Sequence, residues 1–400
     1  MPGIRPSNAV CDMHPPRLLH ILEATTAGVR RYVTQLVRSG RDGWEVHVAC
    51  PAIRQTHYGD VAFVDEVRRM GVTVHELPLR RAIGLHDAAA ACALLDLLRR
   101  ERFDLIHTHS SKAGFLGRLA ARLIGVPVIH TPNGLYFLEQ RGFKRRFYLM
   151  LERLAGRWTA HMIAVSEGER EVIVHERLVI PERVRLIENG VDAAQVHRLA
   201  NEVPATVMRH ALGLDDGGPL ICAVGRMVPQ KDPLTLVRAA RRVLQIIPEA
   251  RFVWCGDGEL HRATQQLAHE LGVPLTVSGH LEEIWSAMRL FDVFVLPSLY
   301  EGLPFTLLEA MALGVPVVAT DVVGTCDVMR GEPIGWLAEP RDDAALAQAI
   351  VQALTDSEEA RRRVEAARCL VETRYSLRRM LEAHGTLYRQ VLSARGGRAA

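Results

Sequence analysis

DVFVLPSLYEGLPFTLLEAMALGVPVVATD, residues 292–321, decides the fold. Its two ends, DVFVLPS (292–298) and VPVVATD (315–321), are short runs apolar at most positions, and the middle, 307–313, reads as a helix. A strand that is apolar on both sides is buried on both sides, so the stretch predicts a strand–helix–strand unit in a parallel sheet covered on both faces. The same stretch carries two acids. Glu309 sits among Leu307, Leu308, Ala310, Met311, Ala312 and Leu313, where an ionised carboxylate without a partner is costly. No cation lies within a helical turn of it in sequence. An ionised carboxylate only accepts hydrogen bonds and a sugar diol offers two donors, so a ligand hydroxyl is a suitable partner. Glu301 lies in the Gly/Pro-bearing loop before the helix, so the two acids can grip two parts of one polyhydroxylated ligand. The alternative is that Glu301 only favours the helix N-terminus, and that Glu309 is bridged by a cation distant in sequence.

Outward from this unit the pattern repeats. The second half also holds PLICAVG (219–225), RFVWCG (251–256), PLTVSG (274–279) and GWLAEP (335–340). The first half holds RLLHILE (17–23), EVHVAC (45–50), VTVHEL (72–77), FDLIHTH (103–109), VPVIHT (126–131), HMIAVS (161–166) and VRLIEN (184–189). Helical patterns separate most of these runs. Two such series predict an α/β chain of two doubly wound, Rossmann-like domains facing a central cleft: 17–200, 201–375, and a last helix, 376–393, packing back on the first domain. The join falls near 193–216, which carries a Pro and then a polar turn. Ligands of such sheets bind at the carboxyl ends of the strands, so the polar residues just after each strand are the ones to examine.

Composition narrows the function. The chain is 48% hydrophobic and 24% charged, which is globular rather than disordered. Its apolar runs are too short for a membrane span, and residues 1–17 lack the apolar core of a signal peptide. The seven cysteines are scattered with no Cys-x-x-Cys, as expected of a reducing cytoplasm and not of a zinc site or disulfide frame. Residues 1–200 hold 28 Lys+Arg against 21 Asp+Glu, a net +7, which leaves 21 against 25, or −4, for residues 201–400. The basic half predicts an anionic partner. No nucleic-acid-binding motif is present, so that partner is not expected to be nucleic acid.

Several loops carry chemistry. After PLICAV comes GRMVPQKDP (225–233), in which Asp232 is a good N-cap and Pro233 a good first helical residue. Arg226 and Lys231 therefore lie between strand end and helix start, and two cations beside a helix N-terminus suit a diphosphate. Gly256-Asp257-Gly258-Glu259 follows RFVWC, where glycine lets the backbone approach a ligand or simply makes a tight turn. No G-x-G-x-x-G follows the first strand of either series. Gly28 opens the helix after the first strand and permits an anion or sugar against backbone N–H groups, or merely supplies a small residue there. His107, His109, Ser110, Ser111 and Lys112 cluster at the end of one strand and Thr131-Pro132-Asn133-Gly134 at the end of the next, and both loops are expected to face the cleft. No carboxylate or third histidine shares a local spacing with the His pair, so no metal is expected. Residues 143–158 show a helical stripe of Phe143, Phe147, Met150, Leu151, Leu154 and Trp158, with Arg141, Lys144, Arg145, Arg146 and Arg153 outside it. It reads either as a core-facing helix with a solvated basic rim or as an interfacial segment near anionic lipid.

Together these motifs resemble the retaining glycosyltransferases of family four, the group 1 nucleotide-sugar transferases of GT-B architecture. The resemblance covers about 17–393 and rests on the E-x7-E pair Glu301 and Glu309, with ENGVD, GRMVPQKDP and CGDGEL in the expected order. It implies that Arg226 and Lys231 hold the donor diphosphate and Glu301 the transferred sugar. Glu309 would accept from the ribose hydroxyls, with the Gly302-Leu303-Pro304 backbone near the diphosphate and Gly28 approaching it from the opposite domain. His109, Asn133, Asn189, Gly256 and Asp257 complete the expected substrate site. The chain departs from the family pattern at Ala27-Gly28, where Gly-Gly is common, and at Asn133-Gly134, where His-Gly is common. Asn bonds a hydroxyl but cannot become a cation, which bears on the choice of donor sugar.

The resemblance implies a hexosyltransferase, retaining and metal-independent, with no cofactor. The leaving diphosphate would help deprotonate the acceptor, and the protein would orient the reactants and stabilise departing charge. HSSKAGFLGRLAARL and ATDVVGT resemble members that extend lipid-linked saccharides for surface polysaccharide (exopolysaccharide, capsule or O-antigen). The expected partners are a UDP- or GDP-sugar donor, a lipid-linked saccharide acceptor and an anionic membrane surface. The expected location is the cytoplasm, peripheral to the inner face of the plasma membrane. The alternatives are a nucleotide-sugar 2-epimerase and a non-catalytic nucleotide-sugar-binding protein.

Overall fold

The computed structural model describes residues 14–39, 43–51, 60–79, 84, 86–214 and 217–396. Most of the expected N-terminal tail, Cys11 included, and part of the polar turn at the domain join (215–216) lie outside them. Every predicted strand is present. In the first half they are β1 (Arg17–Ile21), β2 (Glu45–Cys50), β3 (Thr73–Glu76), β4 (Leu105–His109), β5 (Val128–Thr131), β6 (His161–Ala164) and β7 (Val184–Leu186). In the second half they are β8 (Leu220–Val224), β9 (Arg251–Cys255), β10 (Leu275–Gly279), β11 (Val293–Leu296), β12 (Val317–Thr320) and β13 (Trp336–Ala338). They form two all-parallel sheets, ordered β3-β2-β1-β4-β5-β6-β7 and β10-β9-β8-β11-β12-β13.

Helices cover both faces of each sheet, which is why β8, β11 and β12 are buried at every position. The strand order reverses between β1 and β4 in one sheet and between β8 and β11 in the other. The loops leaving those strands open the crevice where an open parallel sheet binds its ligand. The chain returns to the first sheet at its end. Val191 donates to the Tyr375 carbonyl and Leu377 to that of Val191 (2.8 and 3.0 Å), and the helix Leu377–Gly396 begins there. That helix packs on the first sheet: Tyr388 reaches His107 on β4 (2.7 Å), and His384 reaches Tyr32 on the helix Ala27–Ser39 (2.6 Å).

Of the two readings of residues 143–158, the core-facing one is overturned. The helix Gly142–Gly156 does not turn its apolar stripe inward: Phe143 is 82% exposed and Met150 55%, and Phe147 and Leu154 are exposed beside them. The helix docks through the other side, using Leu149, Ala155 and Gly156. A Cβ on Gly156 would lie 1.8 Å from the Leu178 carbonyl, so this close approach requires glycine. Apolar spacing reported a helix face correctly and said nothing about which face the core takes.

Candidate active site

The loops after β8 and β11 bring the first two predicted residues together. Beyond Val224, a tight turn, Pro229–Lys231, presents Lys231, and Asp232 then caps the helix Pro233–Val243 by accepting from Thr235 N (3.4 Å). Lys231 forms an ion pair with Glu301, and Ser298 Oγ donates to the same carboxylate at 2.5 Å. The two side chains are 16% and 7% exposed, so the pair is largely dry while its edge still opens to the crevice. Arg226 is exposed on the same loop.

Gly256 and Gly258 serve a different neighbour from the one expected. A Cβ on Gly256 would lie 2.1 Å from the Gly225 carbonyl, and one on Gly258 2.4 Å from that of Met227. These glycines let the β8 and β9 loops nest against each other. Asp257 locks the nest: its carbonyl accepts from Met227 N (2.9 Å) and its carboxylate from Gly258 N and His261 Nδ1 (2.6 and 2.7 Å).

The first half supplies the opposite wall. Asn133 (φ 53°) and Gly134 (φ 101°) form a left-handed turn after β5. A Cβ on Gly302 would lie 3.5 Å from Gly134 N and 3.3 Å from Val165 Cγ2, so the loop that carries Glu301 rests directly on this turn. Asn189 crosses the same seam and donates to the Leu303 carbonyl at 2.7 Å, leaving its own buried Oδ1 without a partner among the described residues. Pro304 is the residue before the helix Phe305–Leu313. Gly28 stands in the first turn of the helix Ala27–Ser39 with open space where a Cβ would be.

Two acids that the sequence reading passed over hold this seam. Glu169 is buried and accepts from Gly134 N (3.0 Å) and Val165 N (2.8 Å). Burial pushes its carboxyl up to about 7 against the pull of those two amides, and Asp327 adds to the rise. Asp327, from the second half, accepts from Gly168 N and Gly324 N (3.0 and 3.2 Å). The S-x-x-E spacing of Ser166 and Glu169, a capping box, was the available signal.

Glu309 has a cation, contributed from far away in sequence. It is 3% exposed on the helix Phe305–Leu313, and Arg31 of the helix Ala27–Ser39 stands 2.7 Å from it. The Arg31 guanidinium also lies over Trp285, 4.5 Å from the ring centroid. Of the two partners the sequence left open for Glu309, a ligand hydroxyl and a cation distant in sequence, the structure shows the cation, 278 positions earlier in the chain. The contact is an ion pair and not an aligned hydrogen bond, for Glu309 Oε1 and Arg31 Nε lack hydrogen-bond partners among the described residues. Burial raises the Glu309 carboxyl above its ordinary range, while Arg31 and the Trp285 indole oppose the rise.

His109 is not brought to the open crevice. Every second residue of a strand shares a face, so His107 and His109 both point at the helices covering the sheet, and both are fully buried. His109 Nε2 meets His20 Nδ1 at 3.0 Å, and His107 bonds Tyr388 and Thr131 Oγ1 at 2.7 and 2.8 Å. Burial, then neighbouring histidines, hold His107 and His109 well below the ordinary histidine range. The third histidine missing locally, His20, comes from β1 and makes a triad whose ligand atoms lie within 4.8 Å. Both ring nitrogens of His107 are already hydrogen-bonded, to Tyr388 and Thr131, so the triad is tied into a core hydrogen-bond network.

Family models match both halves: a glycosyl transferase 4-like domain over residues 27–190 and glycosyl transferases group 1 over residues 205–369. The UDP-Gal:alpha-D-GlcNAc-diphosphoundecaprenol alpha-1,3-galactosyltransferase of Escherichia coli is 35% identical over 68% of this chain and 72% of its own. The alpha-maltose-1-phosphate synthase of Mycolicibacterium smegmatis is 31% identical over 91% and 95%. The fold matches HepE of Anabaena, solved with UDP and glucose, at TM-score 0.79 and 19% identity over 95% of this chain and 100% of that one. With parallel sheets, facing loops and paired acids all in place, the chain belongs to the group 1 glycosyltransferases of family four, GT-B enzymes that work from nucleotide sugars.

Proposed function

We propose that the protein transfers a hexose from a nucleoside-diphosphate sugar to a lipid-linked saccharide of surface polysaccharide, with retention at the anomeric carbon and without a metal. The observation that carries this reading is the Lys231–Glu301 pair at the reversal point of the second sheet, set against the Asn133–Gly134 turn of the first. In this reading Lys231 and Arg226 take the donor diphosphate and Glu301 the transferred sugar. Cations fixed before the reaction stabilise the departing diphosphate without reorganising. The leaving oxygen accepts the acceptor hydroxyl's proton, and the two facing loops hold the reactants close. The E. coli relative's named donor, UDP-Gal, makes a UDP-hexose the first donor to test and GDP-sugars the second. Retention is tested by proton NMR of the product, and a product of inverted configuration contradicts it. Turnover should persist in EDTA.

The lipid-linked acceptor is supported by that relative's named substrate and by the surface of the first half. No helix among the described residues is long and apolar enough to cross a membrane. The helix Gly142–Gly156 presents Phe143, Phe147, Met150 and Leu154 outward with Lys144 and Arg146, and the exposed Tyr136 and Leu138 lie between it and the Asn133–Gly134 turn. Arg145 and Arg153 are paired with Glu176. An outward apolar stripe beside exposed cations suits the headgroup boundary of an anionic membrane. At roughly 1 kcal/mol per cation, Lys144→Gln with Arg146→Gln should weaken binding to phosphatidylglycerol vesicles about 30-fold. Unchanged sedimentation with vesicles would count against a membrane-held acceptor.

A further inference from the structure

Arg31 is the residue for which neither the sheet nor the proposed chemistry has yet given a reason. It sits on the second turn of the helix Ala27–Ser39, beyond the loop that opens the first half's crevice. Its neighbours on that helix, Arg30 and Arg38, are bonded to Glu66 of their own half. Arg31 instead crosses to the second half, lies over Trp285 and meets Glu309 at 2.7 Å. Helices Ala193–Ala200, Ile284–Met288 and Ser357–Thr373 and strands β11 and β12 also pack on the Glu309 helix. On the helix Ser357–Thr373, Glu359 and Arg363 pair with each other and the remaining charged residues are exposed. Arg368 donates to the Leu313 carbonyl at the helix's C-terminal end (3.0 Å), and His197 and Arg198 are exposed. Arg31 is the charged group whose field acts on Glu309. The geometry also leaves Glu309 Oε1 without an aligned donor among the described residues.

We infer that Arg31 is a positioning residue for the donor: reaching across the domain boundary, it holds the Glu309 carboxylate as a charged, oriented acceptor for the ribose hydroxyls. The inference rests on the reading that Glu309 meets the ribose. It adds a consequence. The ribose site is complete only while the two halves are apposed, because its acid and the cation that stabilises that acid come from different halves. Without Arg31, a carboxylate buried to this depth favours its neutral form, and a neutral carboxyl is a poorer acceptor for a diol.

The test is calorimetric titration with UDP and with 2′,3′-dideoxy-UDP at pH 6 and pH 8, on the wild type, Arg31→Gln and Arg31→Lys, with circular dichroism to confirm folding. A hydrogen bond to a charged group is worth roughly 10- to 100-fold in affinity. The wild type should therefore prefer UDP over the dideoxy analogue by at least about 10-fold at both pH values. Arg31→Gln should lose that preference at pH 6 and regain part of it at pH 8, and Arg31→Lys should restore it at both. A wild type that does not distinguish the two nucleotides overturns the ribose reading itself. A wild type that does, with an Arg31→Gln variant that distinguishes them equally well at pH 6, overturns only the role of Arg31. A purely structural role would change affinity for both nucleotides together, with no pH dependence in their ratio.

Discussion

Replacing Lys231 by Met leaves Glu301 in place, 7% exposed, with Ser298 Oγ as its remaining side-chain donor among the described residues. An uncompensated buried charge costs about 3–5 kcal/mol and an unsatisfied buried polar group about 1–3. Ser298 and the open edge of the site move Lys231→Met to the lower figure, so the expected loss of stability is about 2 kcal/mol. Adding Glu301→Gln removes the stranded charge and should recover more than half of that loss. Activity should respond differently. A charge-assisted contact to the diphosphate is worth roughly 1.5–3 kcal/mol, or about 10- to 100-fold in kcat/KM. The double variant should therefore stay at least as inactive as Lys231→Met. Urea unfolding, with the turnover of each variant measured alongside, gives both numbers. If the double variant regains turnover together with stability, the pair is a structural bridge and the assignment of Lys231 to the diphosphate fails.

Tyr388→Phe removes the hydroxyl that His107 Nδ1 meets at 2.7 Å and keeps the ring, so unfolding free energy should fall by about 1–3 kcal/mol; an unchanged urea midpoint would show that the helix Leu377–Gly396 docks by shape alone. Asn189→Ala strips the 2.7 Å donor from the Leu303 carbonyl and should raise the donor KM about 10-fold with a smaller change in kcat, and a kcat loss at constant KM would contradict that. The buried histidines predict acid sensitivity. Burial pushes His20 down to about 3 and His384 to about 4, so both are neutral when folded, whereas the unfolded chain protonates them below about 6.5. Stability is then full above pH 6.5 and declines toward pH 4, by about 2 kcal/mol per histidine at pH 5. A urea midpoint that does not move between pH 7 and 5 contradicts neutral burial.

Most of the strands were legible because they are apolar at consecutive positions, as a doubly covered parallel sheet requires. Val317–Thr320 and Leu220–Val224 needed no knowledge of their neighbours to be recognised. Lys231 and Glu301 were each visible from their loops, but their pairing was not, because 70 positions separate them and the reversal of strand order brings them together. Arg31 was hidden for a simpler reason. In VRRYVTQLVR it is one of three arginines on an ordinary amphipathic helix, and nothing local separates the one that crosses to Glu309 from the two that bond Glu66. His20 looked like part of a strand, since the triad it completes exists only through β-sheet register. The stripe from Phe143 to Leu154 has the spacing of a buried face and is exposed, because Ala155 and Gly156 allow the closer approach on the opposite side.

Purified protein incubated with bacterial membranes and, in turn, labelled UDP-, GDP- and ADP-sugars, followed by lipid extraction, tests the central claim most directly. With transfer to a lipid-linked acceptor, label enters the lipid fraction from one donor, a UDP-hexose first of all, and Glu301→Ala abolishes it while nucleotide binding persists. Nucleotide release with no label in lipid, or full transfer by Glu301→Ala, would contradict that reading.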